Sequence, residues 1–124
     1  MSTLKVNTIQ NTSGVEVYTA KAWVNFNGTF GTSPFTVANG GIRQAGNVSS
    51  VTDMGLGKYT INFTTAMPDA NYVQHISAGN GAGSGNYYVG TLFYAPSSAS
   101  CGVLITDQNN TQADAVYVNV VIFR

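Results

Sequence analysis

The stretch Lys58-Tyr59-Thr60-Ile61-Asn62-Phe63-Thr64-Thr65, entered through Asp53-Met54-Gly55-Leu56-Gly57, decides the fold. Tyr59, Ile61 and Phe63 alternate with Lys58, Thr60, Asn62 and Thr64. That period of two puts one row of side chains on each face of an extended chain. The glycines before it mark a tight turn, so residues 53–65 read as the turn and second strand of a β-hairpin.

Outward from this hairpin the same pattern recurs. Residues 21–27 place Ala22, Val24 and Phe26 on one face, predicted to enter the core, and Lys21, Trp23, Asn25 and Asn27 on the other. Phe35 and Val37 follow Pro34 and form at most a short edge strand. Residues 43–52 read as one weaker strand. After the break at Met67-Pro68-Asp69-Ala70-Asn71, residues 72–78 put Tyr72, Ile76 and Ala78 on one side and His75 on the other. Residues 87–95, 100–106 and 115–123 bring the total to about seven strands, each bounded by Gly, Asn, Asp or Pro. In the last run Val116, Val118, Val120 and Ile122 share one face, and Tyr117, Val121 and Phe123 the other. Such a strand is either central or covered by another subunit, and we expect the subunit. Strands with no helix between them imply antiparallel sheets, hence an all-β sandwich or jelly-roll-like domain over residues 21–124. Residues 1–20 hold only scattered apolar groups and are predicted to be an extended segment.

Composition agrees. Only 8% of the 124 residues are charged, and 14 glycines are spread along the chain. Polarity comes from Asn, Thr, Ser and Gly, all poor helix formers. Five positive and five negative residues cancel, with no basic, aromatic-laced cluster for nucleic acid. No run is long and apolar enough for a membrane helix, and residues 1–17 lack the basic start and apolar middle of a signal peptide. Neither membrane insertion nor a secretory route is expected.

Candidate chemistry is sparse. Cys101 is the sole cysteine and reads as a small buried thiol, because the one histidine, His75, is remote in sequence and a nucleophile needs a base within reach. Glu16, Asp53, Asp69, Asp107 and Asp114 sit at turns or strand edges, where Asp caps backbone amides rather than forming an acid/base pair. One His and one Cys do not make a zinc site. Asp107, Asn109, Asn110 and Asp114 have the oxygen donors of a calcium loop, although a polar hairpin loop explains them better. No cofactor, metal site or catalytic residue is expected, and the chain reads as a non-enzyme. The Asn-x-Ser/Thr sequons, Asn47 and Asn62 among them, reflect abundance of those residues. The aromatics Trp23, Tyr87, Tyr88, Tyr94 and Tyr117 carry more promise, since flat rings stack on sugars while Asn and Asp bond hydroxyls. Tyr87 and Tyr88 are adjacent, point to opposite faces and follow the glycine-rich loop at residues 79–85, so one of them should be exposed. Asn86, Tyr87, Tyr88, Asp107, Asn109 and Asn110 are the expected receptor-binding residues.

The run Ala22-Trp23-Val24-Asn25-Phe26-Asn27-Gly28, then Asn47-Val48-Ser49-Ser50-Val51-Thr52-Asp53, and then residues 58–72 including Met67-Pro68-Asp69-Ala70-Asn71-Tyr72, resembles the distal domain of bacteriophage tail fibres. The opening Leu4-Lys5-Val6-Asn7-Thr8-Ile9-Gln10-Asn11-Thr12-Ser13-Gly14 is similar to shaft segments of the same proteins. The resemblance implies a homotrimer in the virion tail, made in the host cytoplasm and acting outside the host cell. Its N-terminal segment would join other tail or baseplate proteins, and its compact domain would bind a host receptor such as a surface glycan. Leu4, Val6 and Ile9, which have no intrachain core to join, and Val116, Val118 and Val120 on the two-faced strand are the expected trimer contacts. The rival expectations are a purely structural tail or baseplate connector and a lectin-like carbohydrate-binding module.

Overall fold

The computed structural model describes residues 3, 5–14, 19–81 and 87–124. Among these there is no helix. Eight strands, β1 (Ala22–Phe26), β2 (Ile42–Gly46), β3 (Val48–Gly55), β4 (Lys58–Phe63), β5 (Val73–Gly79), β6 (Tyr88–Leu92), β7 (Ser100–Asp107) and β8 (Tyr117–Phe123), build two antiparallel sheets. The first sheet has the order β2-β1-β8-β5 and the second β3-β4-β7-β6. Their inner faces close on one core, so the domain is an antiparallel β-sandwich.

Alternation does the sorting. Ala22, Val24 and Phe26 of β1 and Val118, Val120 and Ile122 of β8 face Tyr59, Ile61 and Phe63 of β4 and Cys101, Val103 and Ile105 of β7, all buried. Each large apolar side chain removed from water in this way stabilises the fold by roughly 1.5–3 kcal/mol. The ring of Phe26 meets Tyr59 edge-on at 5.0 Å between centroids. Phe35 joins them through a short bridge to Val51 of β3 and is fully buried, whereas Val37 is exposed. The expected hairpin is β3–β4, with Gly55 opposite Lys58 and Leu56-Gly57 as the turn. At Gly57 φ is +69°, and a Cβ there would run into the carbonyl oxygen of Ile105, so glycine is required on both counts.

Two expectations need correction. Residues 43–52 are not one strand. Asn47 adopts φ 55° between β2 and β3 and sends the chain from the first sheet to the second. Its side chain holds the corner: Nδ2 donates to the carbonyls of Lys21 (3.0 Å) and Thr65 (3.0 Å), and Oδ1 accepts from the Thr65 amide (2.7 Å). Asn tolerates the left-handed region, so the positive φ at this corner falls on Asn47 and not on the adjacent Gly46. The second correction concerns β8, which is central in its sheet between β1 and β5. Val118 and Val120 are buried within the single chain (0% and 3% exposed), so they belong to the sandwich core and not to the expected subunit interface. Val116, just before the strand, is half-buried. The face of β8 left to solvent carries Tyr117, Asn119, Val121 and Phe123.

Among the described residues, no strand of either sheet lies before Ala22. Val6 and Ile9 are each 53% exposed. Leu4 and Glu16 lie outside the described residues.

Candidate functional site

Sheet register places outward-facing side chains of the first sheet in rows. Trp23 lies opposite Val121, and Val121 opposite His75; in the next row Asn25 lies opposite Asn119, and Asn119 opposite Ser77. These six residues line a groove of about 390 Å³ across β1, β8 and β5. That volume falls within the range of roughly 300–1,000 Å³ found for small-molecule sites.

The rows are held in place. The indole of Trp23 lies across β2 at Gly46, where any Cβ would meet its Nε1, so glycine lets the ring lie against the sheet. The ring remains 41% exposed. Arg43, at the bulge where β1 and β2 slip register, closes one end of the row. Its guanidinium stacks 4.2 Å over the Tyr117 ring, donates to the Val116 carbonyl at 2.7 Å and donates to Asn25 Oδ1 at 3.1 Å. Arginine has only donors, so Asn25 must turn its oxygen to Arg43, which leaves its amide NH2 for another partner. Asn119 donates through Nδ2 to Ser77 Oγ at 3.3 Å and leaves its own oxygen as an acceptor.

Those of the expected receptor-binding residues that the structure describes lie elsewhere, along the β6–β7 edge of the second sheet. Tyr88 and Asp107 are opposite each other on β6 and β7, so the structure brings these two together. Tyr87 is the exposed member of the tyrosine pair, at 72%. Tyr88 is half-buried, and its hydroxyl accepts from Asn80 Nδ2 at 2.6 Å. Asp107 is a turn residue: its Oδ1 accepts from the amides of Asn109 (2.8 Å) and Thr111 (3.0 Å). Asn110 takes φ 61° in that turn, and the side chains of Asn109 and Asn110 face solvent. Asn86 and most of the glycine-rich loop lie outside the described residues.

The remaining described carboxylates, Asp53, Asp69 and Asp114, are committed to structure. Asp53 and Asp69 each cap an amide two residues ahead, the role their turn positions suggested. Arg124 grips Asp69 with two bonds of 2.9 and 2.7 Å and holds that carboxyl at about 2, below its ordinary value. Asp114 is the structural pivot: its Oδ1 accepts from the Gly57 amide (2.8 Å) and from the buried Tyr59 hydroxyl (2.6 Å). Asp107 and Asp114 thus serve different turns, and among the described residues no group of three His, Cys, Asp or Glu is placed to hold a metal ion.

Cys101 is fully buried in the core, while His75 stands on the outer face of the first sheet, so the sheet separates the only thiol from the only imidazole. Burial pushes the Cys101 thiol up to about 12, against a smaller lowering from its hydrogen bond with Tyr72. The nucleophilic thiolate is correspondingly scarce near neutral pH. Native protein should therefore leave Cys101 unmodified by iodoacetamide under conditions that alkylate a free cysteine within minutes, with one equivalent taken up after denaturation. Mass spectrometry before and after unfolding checks this, and rapid native alkylation would contradict the buried placement.

Comparison with models of known protein families, with characterised proteins and with solved structures gave no match.

The groove was only partly legible in the sequence. Trp23 stood out as a ring able to stack on a sugar, and the alternation in residues 21–27 placed it outside. Alternation also put Asn25 and His75 on outward faces, but nothing in the sequence brought them together with Ser77 and Asn119, because that proximity comes from β8 inserting between β1 and β5 and periodicity does not encode strand order.

Proposed function

We propose that this chain is a bacteriophage tail-fibre or short-fibre virion protein, in which residues 1–20 assemble with other copies and the β-sandwich binds a glycan on the host surface. Exposed apolar residues ahead of a self-sufficient sandwich are the observation that carries this reading. Val6 and Ile9 are half exposed in one chain, and three copies around an axis would give them the burial that one chain does not. The sandwich itself offers uncharged amides, hydroxyls and aromatic rings on its surface. This is the chemistry of weak sugar contacts, which trimer avidity multiplies.

Retention of the labelled full chain on a panel of intact bacterial cells tests the reading. Surface binding to some strain, lost after mild periodate oxidation of the cell-surface sugars, is the expected outcome. Binding that survives periodate would remove the glycan, and absence of binding to every strain would favour a connector that touches only other virion proteins.

A further inference from the structure

We infer that the groove on the outer face of the β2-β1-β8-β5 sheet is a glycan subsite, in which Trp23 stacks on an uncharged pyranose ring and Asn25, Asn119, Ser77 and His75 bond its hydroxyls. The inference rests on the glycan-binding reading above and moves the contact from the β6–β7 edge to a different sheet.

Three observations favour a sugar over the other occupants of such a face. The first is the pairing of an apolar platform with a polar row. Neighbouring strands lie about 4.8 Å apart and alternate residues on a strand about 6.7 Å apart, so the Trp23–Val121–His75 row and the Asn25–Asn119–Ser77 row frame a patch the size of one sugar ring. A pyranose has the matching shape, with C–H groups on its faces and hydroxyls around its rim.

The second is how the polar groups are already engaged. Asn25 has its oxygen committed to Arg43 at 3.1 Å and so offers a donor. Asn119 has its amide nitrogen committed to Ser77 at 3.3 Å and so offers an acceptor. A donor and an acceptor side by side on paired strands suit two adjacent hydroxyls, each of which both donates and accepts. A second copy of this chain laid over the same face would have to leave that amide row in a dry interface with its bonds half made, which is costly.

The third is preorganisation. Trp23 lies over Gly46, and Arg43 is fixed by the Val116 carbonyl and the Tyr117 ring, so little side-chain entropy remains to be lost on binding. No carboxylate lines the groove, in keeping with a neutral ligand.

Trp23 is the only tryptophan in the chain, so its emission reports on this groove alone. The test incubates the full-length protein with an immobilised array of neutral hexose and N-acetylhexosamine oligosaccharides, and then titrates the best-retained oligosaccharide while following tryptophan emission. The expected results are a saturable change in emission and a loss of affinity on the order of tenfold or more in Trp23→Ala and in Asn119→Ala, with Tyr87→Ala binding like the parent. Asn119 is exposed, so Asn119→Ala keeps the test intact if Trp23→Ala fails to fold. Retention of the same oligosaccharide by a folded Trp23→Ala protein and by Asn119→Ala, together with its loss in Tyr87→Ala, would overturn the subsite while leaving glycan binding in place. No retention of the parent on any neutral oligosaccharide, with emission that shifts only with protein concentration, would also overturn it and would assign the face to a second copy. Periodate-sensitive attachment to cells then decides separately whether the glycan-binding reading survives.

Discussion

Replacing Tyr59 by Phe is expected to lower the unfolding free energy by about 2–3 kcal/mol, although the substitution removes one oxygen and leaves the ring in place. The hydroxyl lies in the core and donates to Asp114 Oδ1 at 2.6 Å, with the Gly28 carbonyl 2.9 Å away. Hydrogen bonds to a charged acceptor contribute roughly twice as much as neutral ones. Burial first, and then the hydrogen bond to Asp114, push the phenol well above its ordinary value, so Tyr59 is a donor at neutral pH. The same Asp114 oxygen also takes the Gly57 amide at 2.8 Å, so one carboxylate ties the β3–β4 turn to the start of β8. Asp114→Ala should therefore cost a similar amount. The double variant should cost less than the sum of the two by about 1 kcal/mol or more, because both singles break the same bond. Urea unfolding of the four proteins measures this cycle. Additive losses, or a Tyr59→Phe loss below about 0.5 kcal/mol, would mean that the contact does not hold the two sheets.

The corner at Asn47 is the second place where one side chain decides the topology. Asn47→Ala should cost about 2–3 kcal/mol, and Asn47→Gly about 1 kcal/mol less than that. Glycine relieves the φ of 55° but restores none of the three side-chain bonds to Lys21 and Thr65. For a domain of this size the alanine variant should melt roughly 10 °C lower. Differential scanning calorimetry gives the ranking directly. If Gly matched the parent, backbone conformation alone would explain the corner. If Ala matched Gly, the left-handed φ would be of no account.

How far the sequence could be read follows from the range of each force. Alternation is local, so the inward faces of β1, β4 and β5 and the β3–β4 hairpin were all legible. The division of residues 43–52 was missed: Gly46-Asn47 is a weak turn signal inside a polar run, and the three bonds that fix the corner reach Lys21 and Thr65, far from it in sequence. Strand order was also hidden. The apolar two-faced run of β8 has two explanations that look alike in sequence, a central strand or a covered one. The structure assigns Val118, Val120 and Ile122 to the core of the chain itself and leaves Tyr117, Val121 and Phe123 outward. The turn roles of Asp53, Asp69 and Asp107 were readable, since an Asp cap needs only its neighbours. The bond from Asp114 to Tyr59 spans 55 positions and carried no signal in the sequence.

The proposed fibre requires that copies of this chain assemble through their N-terminal segments, and sedimentation equilibrium of the full-length protein measures that most directly. The account predicts a single species at three times the 13.0 kDa of one chain. A monodisperse 13.0 kDa species across the accessible concentration range would contradict it.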